Sequence, residues 1–244
     1  NLGLKGKIAL VTGASHGIGR SIALGLADEG CHVAICARHK SGLERVVKEI
    51  KKKGVKVLGI PADVTVPEDI DRVIRTVVSS YKTIHILVNN AGGGGRWGSD
   101  NIEGTADEVW QDVYNKNALA AVRFSMRVIP YMRRQKWGRL VTITSVFGQE
   151  IGGRPWFNMA KTAQSVLMSN LAANKDLVRS GLTFNSIAPG CIMISGTGWD
   201  KKRKQGPRSF RKMLRERFPL GRLGRPEEVA CVVVFVCSAQ ASLI

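Results

Sequence analysis

Short apolar runs alternate with helical segments along this 244-residue chain, and that alternation narrows its fold more than any other feature. Strands separated by helices build βαβ units, whose right-handed crossovers lay a parallel sheet between two helical layers. Strands are expected over Lys7 to Val11, His32 to Cys36, Val55 to Ile60, Ile86 to Asn89, Arg139 to Thr144 and Leu182 to Ala188. Between them, Ile18 to Glu29 and Phe157 to Val178 read as helices, and Thr65-Val66-Pro67 starts one running towards Tyr81. Ser41-Gly42-Leu43-Glu44 and Thr105-Ala106-Asp107-Glu108 read as capping boxes, the second opening a long helix towards Gln135. No repeat, low-complexity linker or composition break divides residues 1–244, so one doubly wound α/β domain is expected.

The first strand and helix are joined by Thr12-Gly13-Ala14-Ser15-His16-Gly17-Ile18-Gly19. Glycines there let the backbone turn sharply and approach a pyrophosphate, while the helix start offers unpaired N–H groups and a positive dipole end. The spacing Gly-x-x-x-Gly-x-Gly differs from the Gly-x-Gly-x-x-Gly of larger dehydrogenases, and no Lys-Ser/Thr follows to make a P-loop. The second strand ends Cys36-Ala37-Arg38. An acidic residue at that end would accept hydrogen bonds from the ribose 2′-OH of NAD and repel a 2′-phosphate. Ala37 takes its place, and the guanidinium of Arg38, with His16 nearby, suits the phosphate of NADP(H).

Further ordered motifs match. Asp63-Val64 ends the third strand, Asn89-Asn90-Ala91-Gly92 the fourth, and Pro189-Gly190 follows the sixth, with Ile192 just beyond. Ser145 follows the fifth strand, and Phe157-Asn158-Met159-Ala160-Lys161 lies twelve residues on. Together with the glycine turn, the series resembles the classical short-chain dehydrogenase/reductases, in particular their 3-oxoacyl-carrier-protein reductase-like members, over nearly the whole chain. The resemblance implies a Rossmann-type domain and a nicotinamide cofactor held by Gly13, Ser15, His16, Gly17, Ile18, Gly19, Arg38, Asp63, Val64, Asn90, Ala91, Gly92, Lys161, Pro189, Gly190 and Ile192. It also implies a catalytic set of Ser145, the residue at 157, Lys161 and Asn117. In the family the serine hydrogen-bonds the substrate oxygen, a tyrosine exchanges the proton, the lysine lowers the tyrosine pKa and binds ribose, and the asparagine holds a relay water.

Here the tyrosine position is Phe157, which has no hydroxyl. Tyr81, Tyr114 and Tyr131 lie well upstream, and the position seven residues before the lysine is Arg154. Three readings stay open: an engineered Tyr→Phe change, an enzyme that draws its proton from Lys161 or a bound water, or a catalytically silent NADP(H) binder serving as a sensor or assembly subunit.

Charge bears on the partner. Thirty-seven Lys and Arg against 19 Asp and Glu give +18, which favours nucleic acid, membrane headgroups, phosphorylated ligands or carrier proteins. Nucleic acid gains nothing beyond the charge, because no aromatic stacking platform is interleaved with the basic residues. The resemblance makes 191–218 a substrate lid. Its nine Lys and Arg residues against Asp200 and Glu216 suit a small anionic substrate such as an acyl thioester or a nucleotide or phosphorylated sugar. Arg96, Trp97, Trp156 and Trp199 are the candidate substrate-lining side chains. The resemblance further implies a homotetramer or homodimer, with Ala118, Ala120, Ala121, Ala163, Ala172 and Ala173 small enough for close packing, and a further strand after Ile244. Five cysteines without CxxC spacing, no metal-ligand pattern, no secretory signal and no apolar run near the roughly 20 residues of a bilayer span read as a cytoplasmic, metal-free, non-membrane protein.

Overall fold

A computed structural model describes residues 1–94, 97–99, 101–150 and 152–244. The six expected strands are β1 (Ile8–Thr12), β2 (His32–Ala37), β3 (Val57–Pro61), β4 (Ile86–Asn89), β5 (Gly138–Ile143) and β6 (Leu182–Ile187). They pair in parallel in the order β3-β2-β1-β4-β5-β6. The order reverses between β1 and β4, and in such sheets the crevice beyond the strands' carboxyl ends at that point is where ligands bind.

Strand alternation sends successive side chains to opposite layers. Ala9 and Val11 of β1 join one core with Ile22, Leu26, Val233 and Val236, from α1 (Gly17–Asp28) and α10 (Pro226–Cys237). Ile8 and Leu10 join the other with Ile70, Val73, Phe124 and Met168, from α3 (Pro67–Tyr81), α5 (Ala120–Arg134) and α6 (Pro155–Ala173). The remaining helices are α2 (Lys40–Lys51), α4 (Asp107–Tyr114), α7 (Lys175–Arg179), α8 (Gly198–Gln205) and α9 (Pro207–Arg217).

Five expectations need correction. Helix α2 starts at Lys40 behind an extended His39, so Ser41 lies inside the helix and forms no capping box. Before α4 the cap is Ala106, because the Thr105 hydroxyl is spent on the carbonyl of Asn101 at 2.8 Å. The expected long helix is α4 and α5 joined by a π turn at Asn115–Leu119. The helix from Phe157 breaks at Asn174, whose side chain accepts from the backbone of Asp176 and Leu177 and starts α7. Ala118, Ala120 and Ala121 are buried inside the subunit, so they are not available to pack against another copy. Among the described residues no helix is long and apolar enough to cross a membrane.

Candidate active site

The end of β1 is tied to the end of β4. Asn90 Nδ2 donates to the carbonyls of Thr12 and Gly13 at 2.9 and 3.1 Å, and the backbone N–H groups of Asn90 and Ala91 donate to Thr12 Oγ1 at 3.0 and 2.9 Å. This seam leaves no room for side chains on the turn. Gly13 adopts φ +65°, and a Cβ there would stand 2.8 Å from Ala91 Cα. A Cβ on Gly19 would meet Asn90 Nδ2 and stand 2.7 Å from the Gly13 carbonyl oxygen. Helix α1 opens behind an extended His16 with no side-chain cap and no acidic residue in its first turn. Its first N–H groups are therefore available to an anion in the adjoining cleft.

The cleft encloses about 460 Å³. Every expected cofactor-binding residue lines it: Gly13, Ser15, His16, Gly17, Ile18 and Gly19 on the turn, Arg38 after β2, Asp63 and Val64 after β3. Asn90, Ala91 and Gly92 contribute after β4, Pro189, Gly190 and Ile192 after β6, and Lys161 from α6. Ser145 and Phe157 line the same space. A glycine cradle against an uncapped helix start, with a cation beside it, fits a dinucleotide's diphosphate.

Lys116 is a lining residue that the sequence did not single out. It stands half-buried on the π turn, with Nζ 4.5 Å from the centre of the Trp97 ring. Burial lowers its pKa, and the charge of Arg38 lowers it further. Burial disfavours ionised Asp63, but hydrogen bonds from the Thr65 backbone and hydroxyl, and then the charges of Arg38 and Lys116, outweigh it, so its carboxyl titrates below the ordinary value. Its position inside a helical run hid Lys116, since only the π turn brings it to the cleft.

At the other end the lining is built from side chains. Phe157 and Lys161 lie one turn apart on α6, on one face. The Lys161 ammonium is 5.7 Å from the centre of the Phe157 ring. Its Nζ donates to the Ile143 carbonyl at 3.0 Å and to Gln164 Oε1 at 2.8 Å. Burial pulls the Lys161 pKa down to about 7. Ser145 Oγ accepts from the Phe147 N–H at 3.2 Å, which leaves its own proton to donate. Asn117 is fully buried behind the cleft. Its Nδ2 donates to Gly93 and Val113 carbonyls at 2.8 and 2.7 Å, and its Oδ1 accepts from Gly93 N–H at 3.1 Å. It thereby fixes the backbone after β4.

The short-chain dehydrogenase family model matches residues 7–206. The chain belongs to the short-chain dehydrogenase/reductase family. A 3-oxoacyl-[acyl-carrier-protein] reductase of Staphylococcus epidermidis is 36% identical over 240 residues, spanning 98% of this chain and 94% of that one. The crystal structure of L-sorbose reductase from Gluconobacter frateurii, complexed with NADPH and L-sorbose, superposes with a TM-score of 0.90 at 34% identity, covering 99% of this chain and 93% of that one. A 7α-hydroxysteroid dehydrogenase complexed with NADH and 7-oxo glycochenodeoxycholic acid gives 0.88 at 30%, covering 100% and 92%. This short-chain dehydrogenase/reductase is thus an oxidoreductase with relatives among the ketoreductases.

The four candidate substrate residues fare less well. Trp156 is 1% exposed and packs edge-on against Trp110, so it belongs to a core and not to the cleft. Trp199 packs on Phe210 and Phe218, away from the cleft lining. Trp97 covers Lys116 and stays outside the lining itself. Arg96 lies outside the described residues.

Proposed function

We propose that this oxidoreductase uses NADP(H) to interconvert a ketone and a secondary alcohol on a small anionic substrate, an acyl thioester or a nucleotide or phosphorylated sugar. The observation that carries the reading is one cleft with an uncapped helix start at one end and Ser145 with Lys161 at the other. When bound, the reduced nicotinamide supplies a hydride. The chain's own residues would divide the rest of the work. The turn from Gly13 to Gly19 and the N–H groups of α1 would take the diphosphate. Arg38, seconded by Lys116, would take the 2′-phosphate, with Ala37 in place of an acidic residue that would repel it. Ser145 would donate to the substrate oxygen.

Phe157 is read as standing where the family carries its tyrosine. It preserves ring packing and removes a general acid worth typically 10²–10⁴ in rate. That loss is also what favours a second reading, a catalytically silent NADP(H) binder. The basic side chains of α8 and α9 support the anionic substrate and the assignment of 191–218 as a lid. Arg203 and Lys204 there are paired with Asp200 at 2.7 and 2.9 Å and Lys212 with Glu216 at 3.8 Å, while Arg208, Arg211 and Arg215 line the outer face without an ion pair among the described residues. Exposed Met126, Met159 and Val166 on α5 and α6 support a homo-oligomer.

The test is NADPH oxidation with 3-oxoacyl thioesters, sugar-nucleotide ketones and simple ketones, comparing the chain with its Phe157→Tyr variant and using NADH as control. Turnover by the variant alone supports the enzyme reading with Phe157 as a disabling residue. NADPH binding without turnover by either form supports the silent binder.

A further inference from the structure

Between α8, α9 and the turn before α10 lies a second cavity, an open groove of about 610 Å³. It shares no lining residue with the cleft of Ser145 and Lys161. The segment after β6 divides the two: Ile192 and Ile194 line the cleft, and Met193 between them lines the groove. Backbone bonds fix that partition. The Met193 N–H donates to the Gly224 carbonyl at 2.8 Å, and the Gly224 N–H donates to the Cys191 carbonyl at 3.0 Å.

The groove combines two kinds of side chain. Met193, Pro207, Phe210, Leu214 and Leu223 are apolar, with the buried pair Phe210 and Leu223 as its base. The other lining residues are Arg203, Lys204, Arg211, Arg222 and Arg225, and none of the described lining side chains is an amide, hydroxyl or carboxylate. A sugar or a peptide would leave polar groups unpaired against such a surface, whereas an aliphatic chain would not. The volume falls within the roughly 300–1,000 Å³ of small-ligand sites.

The cations are unequally engaged. Arg203 and Lys204 pair with Asp200 at 2.7 and 2.9 Å. Arg222 donates to both oxygens of Glu228 at 2.9 and 2.7 Å, and Arg225 stands 3.7 Å from the same carboxylate. Arg211, exposed on α9 one turn before Leu214, makes no ion pair among the described residues. An anion entering the groove meets excess positive charge, with the Arg211 guanidinium available to it.

We propose that this groove binds a single-chain anionic amphiphile of the fatty-acid class, its chain against Phe210, Leu214 and Leu223 and its carboxylate on Arg211. The site lies outside the cleft and does not depend on NADP(H) or on the oxidoreductase reading.

The test is calorimetric titration of the full chain with decanoate, below its micelle-forming concentration, beside hexanoate and 1-decanol. Decanoate should bind one to one, and affinity should fall about 2–4-fold for each methylene removed towards hexanoate. Arg211→Glu should weaken decanoate by about 10–100-fold and leave 1-decanol unaffected. Leu214→Asp should weaken both. Decanoate affinity unchanged in Arg211→Glu overturns the proposal, and it does so even if Leu214→Asp fails to fold. Displacement of decanoate by NADPH would place it in the cleft and overturn the proposal equally. So would binding only to vesicles of phosphatidylcholine and phosphatidylglycerol, which would assign this basic face to a membrane surface. Failure of NADPH to bind would bear on the cofactor reading alone.

Discussion

The two ends of the cleft are built by different means. On the proposed function, the diphosphate end would work through backbone N–H groups, and what marks it is what is missing: no Cβ at Gly13 and Gly19, no cap at His16, no acid at Ala37. At the end proposed for proton exchange, Lys161 and Gln164 are held in a buried network between the carbonyls of Ile143 and Asn117. A backbone site is protected by geometry and broken by adding a methyl group. A side-chain site is tuned by electrostatics, and a single substitution can retune it without disturbing the fold.

Several changes would sharpen or break this contrast. The largest effect is expected from Phe157→Tyr, which should raise kcat with an accepted ketone by about 10²–10⁴ while leaving NADPH affinity unchanged. Equal rates in the two forms would mean that the proton already arrives from elsewhere.

Next comes the linkage of Lys161 to stability. Its folded pKa of about 7 lies below the ordinary lysine value of 10.5, so between these values the unfolded chain binds more protons and stability rises with pH. Below pH 7 the ammonium is buried at full cost. Relative to Lys161→Met, the native chain should gain on the order of 2–5 kcal/mol as pH rises from about 6 to 10, read from urea unfolding. A pH-independent difference would show that the lysine is not buried as described.

Gly19→Ala attacks the other end. Displacing Asn90 and the Gly13 carbonyl should weaken NADPH binding by about 10²-fold, measured by nucleotide fluorescence. Arg38→Ala should cost NADPH about 10–100-fold, the value of one charge-assisted contact, and spare NADH. Equal losses for both cofactors would remove Arg38 from the 2′-phosphate.

The same contrast explains what could be read in the sequence. The six strands fall within a residue or two of expectation, and β1, β2, β4 and β5 are the plainest because each is a short apolar run buried on both faces of the sheet. Backbone-built features were legible too, since a glycine in a βα turn states its own reason. The capping boxes at Ser41 and Thr105 were misread because sequence cannot say where a hydroxyl finds its partner, and Thr105 finds Asn101. Gln164 and Lys116 were overlooked because each looks like an ordinary helical polar residue. Gln164 gains meaning from its two hydrogen-bond partners, Lys161 and Asn117, and Lys116 from a π turn that sequence does not announce. Trp156 was misplaced for the converse reason: next to Phe157 in sequence, it turns inward to Trp110.

The most direct test of the central claim is the fate of the label from NADPH deuterated at nicotinamide C4, followed by mass spectrometry with a 3-oxoacyl thioester or a ketose as acceptor. The native chain and Phe157→Tyr would be run in parallel. The account predicts one deuterium on the new carbinol carbon of the alcohol formed by Phe157→Tyr, and a slower yield of the same product from the native chain. Product carrying only solvent hydrogen at that carbon would contradict it.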